Sequence, residues 1–189
     1  MAEPKPLLAP LRAASSAARL WKDNRFAADD WRPVADDQEP PINGHAIVSL
    51  KRWRAEQPCL TSNGQAIGIR VEPGDTLDPA IDNLDRLGVI ALSFSKFTDG
   101  RAYSTARRLR EQWGFEGEIR ATGDVLLDQL PLMLRSGFDA LEIVNSATIV
   151  ALEQRPIPAV AHTYQRSVGP DTFGWRARRL SAGRLSAAE

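Results

Sequence analysis

Residues 89–144 read VIALSFSKFTDGRAYSTARRLREQWGFEGEIRATGDVLLDQLPLMLRSGFDALEIV. Three short strands alternate here with two helical segments. Val89 to Ser95 is almost continuously apolar, as a strand covered on both faces must be. Ala102, Ala106, Leu109 and Trp113 then recur at helical spacing with arginines between them, and Gly114 stops the run. Glu118 to Ala121 makes a second strand. Asp124 is placed to cap the following helix, whose Leu127, Leu130 and Leu134 share a face. Pro131 falls inside that helix and removes a backbone donor, which predicts a kink or two helical pieces. Gly137 ends it, and Ala140 to Val144 is the third strand.

The same alternation extends outward. Upstream, Ala46 to Leu50 reads as a strand, followed by a short polar helix containing Trp53, a Ser62-Asn63-Gly64 turn and a strand from Ala66 to Val71. Asp78-Pro79 is a helix start, because Asp accepts from a free N–H and Pro lacks the donor that would be orphaned there. That helix is expected to end near Gly88. Downstream, Ser146 caps a helix that Pro156 closes, and Ala159 to Tyr164 is a last strand. Six strands separated by helices need crossovers, which predicts an α/β fold of repeated βα units with a mainly parallel sheet. The short, similar units favour a partial (βα) barrel, with an open doubly wound sheet as the alternative. The expected division is a flexible N-terminal arm over residues 1–41 with a short hairpin in it, one α/β domain over 42–168, and a flexible tail over 169–189.

The 189 residues are 43% hydrophobic, enough for one sizeable core. The 24 basic and 24 acidic residues cancel, so no global field recruits nucleic acid or an anionic membrane. No apolar run approaches the roughly 20 residues that cross a bilayer, and a cytoplasmic protein is expected. Cys59 is the sole cysteine, which excludes dithiol chemistry within one chain. No Cys or His cluster has metal-ligand spacing, no Gly-x-Gly-x-x-Gly follows a strand, and no cofactor motif is evident.

Ligands in such folds sit beyond the carboxyl ends of the strands. Those ends supply Glu72, then Ser95, Lys96, Thr98, Asp99, Gly100 and Arg101, then Arg120, Gly123 and Asp124, then Asn145, then His162 and Tyr164. Lys96, Arg101 and Arg120, with the free N–H groups of a helix starting near Gly100, form a candidate oxyanion or partner site. Ser95 belongs to the same loop, and Ser104 and Arg107, three apart on the next helix, would extend the site. Lys96, Asp99 and Asp124 are the catalytic candidates, Lys96 or Asp124 moving a proton. The competing reading is that these cations pair with Asp99, Asp124 or Glu118 and hold loops together. His162, inside AVAHTY, is a core histidine or a strand-end acid–base group.

The segments DDWRPVADD, FSKFTDGRAYSTARRLRE and GEIRATGDVLLDQLPLMLRSGFDA resemble a bacterial domain-of-unknown-function family described as oxidoreductases of sulfite reduction. The resemblance spans roughly residues 29–145. It rests on Phe97, Asp99, Gly100, Arg101, Ser104, Ala106, Leu109 and Arg110, and on the run from Gly117 and Glu118 through Arg120, Gly123 and Asp124 to Asp128 and Gln129. Pro131 departs from the pattern, which expects a bulky apolar residue. The resemblance implies a role beside the sulfite reductase haemoprotein, or its electron donor, in cysteine biosynthesis. The residues themselves show neither a redox-carrier motif nor a redox pair. Three readings stay open: an accessory protein of assimilatory sulfite reduction, an enzyme acting on a small anion, and a self-associating domain.

Overall fold

The computed structural model describes residues 18–41, 44–62, 64–96, 99–155 and 157. Eight strands form one sheet: β1 (Arg19–Lys22), β2 (Arg25–Ala27), β3 (Trp31–Pro33), β4 (His45–Ser49), β5 (Ile67–Val71), β6 (Leu87–Phe94), β7 (Glu118–Gly123) and β8 (Ala140–Ile143). Their order is β2-β1-β8-β7-β6-β5-β4-β3. From β3 to β8 each strand pairs in parallel with the next one in the chain. A doubly wound sheet needs a reversal of strand order, and this run has none. The sheet instead curls into a half-barrel.

The sheet is mixed, which corrects the expectation of a mainly parallel one. β1 runs antiparallel to β8 and β2 antiparallel to β1. Asp23 and Asn24 sit at φ 52° and 59° in the two-residue turn between them, the backbone that matches hairpin twist and that Asp and Asn tolerate. Residues 19–33 thus supply three strands of the sheet. The boundary expected at residue 42 falls between β3 and β4, whose residues Trp31 and His45 are paired. Residues 1–17, the expected strand from Ala159 to Tyr164, His162 and the tail over 169–189 lie outside the described residues.

The helices are α1 (Leu50–Ser62), α2 (Pro79–Asp82), α3 (Arg101–Glu111), α4 (Leu130–Arg135) and α5 (Ser146–Gln154), with 3-10 turns at Leu84–Arg86 and Leu127–Gln129. The period-2 alternation of the strands assigns their side chains. Ile67 and Ile69 on β5, Ile90, Leu92 and Phe94 on β6, Ile119 and Ala121 on β7, and Leu141 and Ile143 on β8 join one core with Trp53, Leu109, Leu130, Met133 and Ile149 of the helices. Each such side chain contributes on the order of 1.5–3 kcal/mol by leaving water. The opposite, inner face carries a small cluster of Ile47, Val89 and Ala91 under Trp31.

Several helix ends differ from expectation. Asp78 does accept from the Ala80 N–H at 3.0 Å, with Pro79 following. That helix ends at Asn83, in the left-handed region at φ 46°, and Gly88 lies inside β6, where a Cβ would stand 2.7 Å from the Trp31 ring. Asn145, not Ser146, caps α5, accepting from the Thr148 N–H at 3.0 Å. The N-cap of the turn after β7 is Leu126, not Asp124, whose backbone N–H donates to the Phe94 carbonyl at 2.9 Å. Pro131 occupies the first turn of α4, where its missing donor is harmless, and a separate 3-10 turn precedes it.

Candidate functional site

At the end of β6 the chain passes Ser95 and Lys96, both exposed, and enters α3 through Asp99 and Gly100. Phe97 and Thr98 lie outside the described residues. Asp99 accepts from the Arg101 backbone N–H at 3.1 Å and from its guanidinium at 2.9 and 2.6 Å. These donors hold the Asp99 carboxyl down at about 2, so it is a fixed anion, poorly suited to moving protons near neutrality. Arg107 donates to Glu111 at 3.2 Å, one turn along. Asp99, Arg101 and Ser104 line a cavity of about 350 Å³ on the helix side of the sheet, together with Glu72, Ser93 and Arg108.

Arg120 lies elsewhere. With β7 read as ending at Ala121, it stands at a strand end; the strand runs on to Gly123, so Arg120 sits mid-strand and points to the inner face. It is 1% exposed. Its guanidinium donates to both Asp29 oxygens at 2.7 and 3.0 Å and to Glu118 at 2.9 Å, and Glu118 in turn accepts from Lys22 at 2.7 Å. Burial opposes the Arg120 charge, but Asp29 and Glu118 outweigh it and hold its pKa above the ordinary arginine value. The structure therefore brings Asp99, Gly100, Arg101 and Ser104 together and does not bring Arg120 to them. Asp124 follows β7, in the loop after Gly123.

Arg120 belongs to a second cavity of about 400 Å³ on the inner face. Glu72 and Ser93, at the carboxyl ends of β5 and β6, border both cavities. Arg70 and Glu72 pair with each other at 2.8 Å. Glu142, between Leu20 and β7 in the sheet, also lines this cavity, and burial pushes its carboxyl above the usual range. Glu142, Thr122, Ser93 and Asp29 escaped the sequence reading. The signal that finds the strand residues is alternation: Glu118, Arg120 and Thr122 share one face of β7, and Glu142 interrupts the apolar run of β8. Asp29 carried no such signal, since only the folded arm brings it to Arg120.

Two motif segments meet at this point. Asp29 and Trp31 of DDWRPVADD touch Arg120 of GEIRATGD and the backbone at Gly68 and Gly88. Arg110, at the end of the other motif, donates to the carbonyls of Gly117 and Gly137 at 2.9 and 3.2 Å and pairs with Asp139, tying α3 to the starts of β7 and β8. Among the described residues no helix is long and apolar enough to cross a membrane. A family model described as a bacterial protein of unknown function (DUF934) matches residues 68–173. No match was found among curated proteins or among solved structures.

Proposed function

This chain belongs to the bacterial family of unknown function DUF934, and on that premise we propose that it is a non-catalytic, cytoplasmic accessory protein of assimilatory sulfite reduction. It docks on the sulfite reductase haemoprotein or on that enzyme's electron donor. The observation that carries this reading is the state of the two arginines an anion-processing site would use. Arg101 is held bidentately by Asp99, and Arg120 by Asp29 and Glu118. A reacting anion would have to displace carboxylates that are already in place, at high effective concentration, on both. A docking surface needs no free guanidinium. The solvent side of α3 presents Arg101, Ser104 and Arg108 with Arg107 beside them, a basic, polar face suited to an acidic partner surface. The link to sulfite reduction comes from the motif resemblance around Asp99–Arg110 and Gly117–Gln129.

The test is affinity capture of the full chain from cells grown on sulfate as sole sulfur source. The haemoprotein or its donor is expected in the eluate, and an Arg107→Glu, Arg108→Glu double variant should lose it. Absence of both partners, with normal growth on sulfate after deletion of the gene, overturns the proposal. The enzyme reading is separated by calorimetry with sulfite: heat that the wild type gives and Arg101→Ala lacks would favour catalysis over docking.

A further inference from the structure

The inner cavity holds charge that its own residues do not balance. Its lining includes three carboxylates, Asp29, Glu72 and Glu142, and two guanidiniums, Arg70 and Arg120. Asp29 is taken by Arg120, and Glu72 by Arg70. Glu118, outside the lining, accepts from the Arg120 Nε–H and from Lys22. Glu142 is left over: among the described residues nothing donates to its carboxylate. The Ser93 and Thr122 hydroxyls on the neighbouring strands β6 and β7 likewise have no hydrogen-bond partner among the described residues. Leu20, Ile47 and Ala91 give the cavity apolar wall.

We propose that this cavity is a binding site for a small aliphatic primary ammonium compound, with Glu142 as its counter-ion and Ser93 and Thr122 as hydroxyl acceptors. An ammonium brings three donors and no acceptor, and this site presents acceptors. The volume of about 400 Å³ lies in the range of small-ligand pockets, roughly 300–1,000 Å³. The apolar wall takes a short alkyl chain, which bare sodium or water does not fill. The groups sit on paired strands, so the site is formed before the ligand arrives. The site lies on the face opposite the helices and shares only Glu72 and Ser93 with the cavity beside α3.

The probe is isobutylammonium chloride, with sodium isobutyrate as the isosteric anion, titrated into the full chain. Backbone amide shifts and calorimetry are the readouts. The ammonium should shift the amides of Leu20, Thr122 and Glu142, and isobutyrate should not. Glu142→Gln should weaken the ammonium by about tenfold, the size expected when one charge-assisted hydrogen bond is lost. Ser93→Ala should weaken it by less, with the same amides still moving. Three results overturn the proposal: equal ammonium binding by Glu142→Gln and wild type, isobutyrate moving these amides more strongly than the ammonium, or no shift with either compound at tens of millimolar (a concentration at which even weak ligands register).

Discussion

Arg120 carries its charge into a place where 1% of it meets solvent, and it can do so because three of its donors end on carboxylates. Removing one partner of a buried pair strands the other. Arg120→Ala should destabilise the protein by about 3 kcal/mol, the lower end of the range for such breakage because Asp29 can regain water. Asp29→Asn should cost less, since Glu118 still holds the guanidinium. Urea unfolding of both variants checks the order; midpoints equal to that of the wild type would show that the pair contributes nothing. Arg101→Ala, at an exposed pair, should leave the urea midpoint where it was. Glu142 acts in the opposite sense. Its folded pKa is raised, so the folded state holds the proton more tightly than the unfolded chain. That contribution is present below the unfolded value and is lost as pH rises through the folded one. Above the unfolded value, keeping this carboxyl buried is a burden on the fold. Glu142→Gln should therefore melt higher than wild type at pH 7, with the difference closing below about pH 4. A variant that melts lower at pH 7 would mean that Glu142 has a stabilising partner in the folded protein.

The strand β7 ends where a side chain cannot go. Gly123 lies at φ 90°, and a Cβ there would stand 2.5 Å from the Phe94 carbonyl oxygen, which is backbone and cannot step aside. Gly123→Ala should cost about 1–3 kcal/mol through the φ penalty, with the close contact added to it, and thermal unfolding reads it directly. A neutral result would mean the β6–β7 ends are looser than their pairing at Phe94–Gly123 suggests. The sequence placed a short hairpin in the N-terminal arm but gave no sign that β1 would join the main sheet. Its partner, β8, lies more than a hundred residues away, and local propensity says nothing about such a pairing. Trp31 tells the same story. It reads as one of several scattered tryptophans, yet it packs over Gly68 and Gly88, two positions where the absence of a Cβ makes room for its ring. The helix start at Pro79 and the break into two helical pieces at Pro131 were more readable, because proline acts through its own backbone.

In the half-barrel, the cavity beside α3 and the cavity on the inner face share Glu72 and Ser93 at their border. A sequence reading places the loops after β5, β6 and β7 at one end, and that follows from the alternation of short strands and helices alone. Read as ending at Ala121, β7 puts Arg120 at a rim; two more residues make it mid-strand, and alternation with Ile119 and Ala121 turns its side chain to the inner face. The amino-acid sequence by itself determined the βα rhythm, the helix starts at Asp78 and near Gly100, and the two motifs on which the family resemblance rests, since these are set by neighbours along the chain. Only the tertiary structure decided that the N-terminal hairpin joins the sheet, that Asp29 closes on Arg120 from 91 residues away, and that no described residue donates a hydrogen bond to the Glu142 carboxylate: each depends on which distant strands become neighbours, and that choice is made by burial and pairing across the whole sheet.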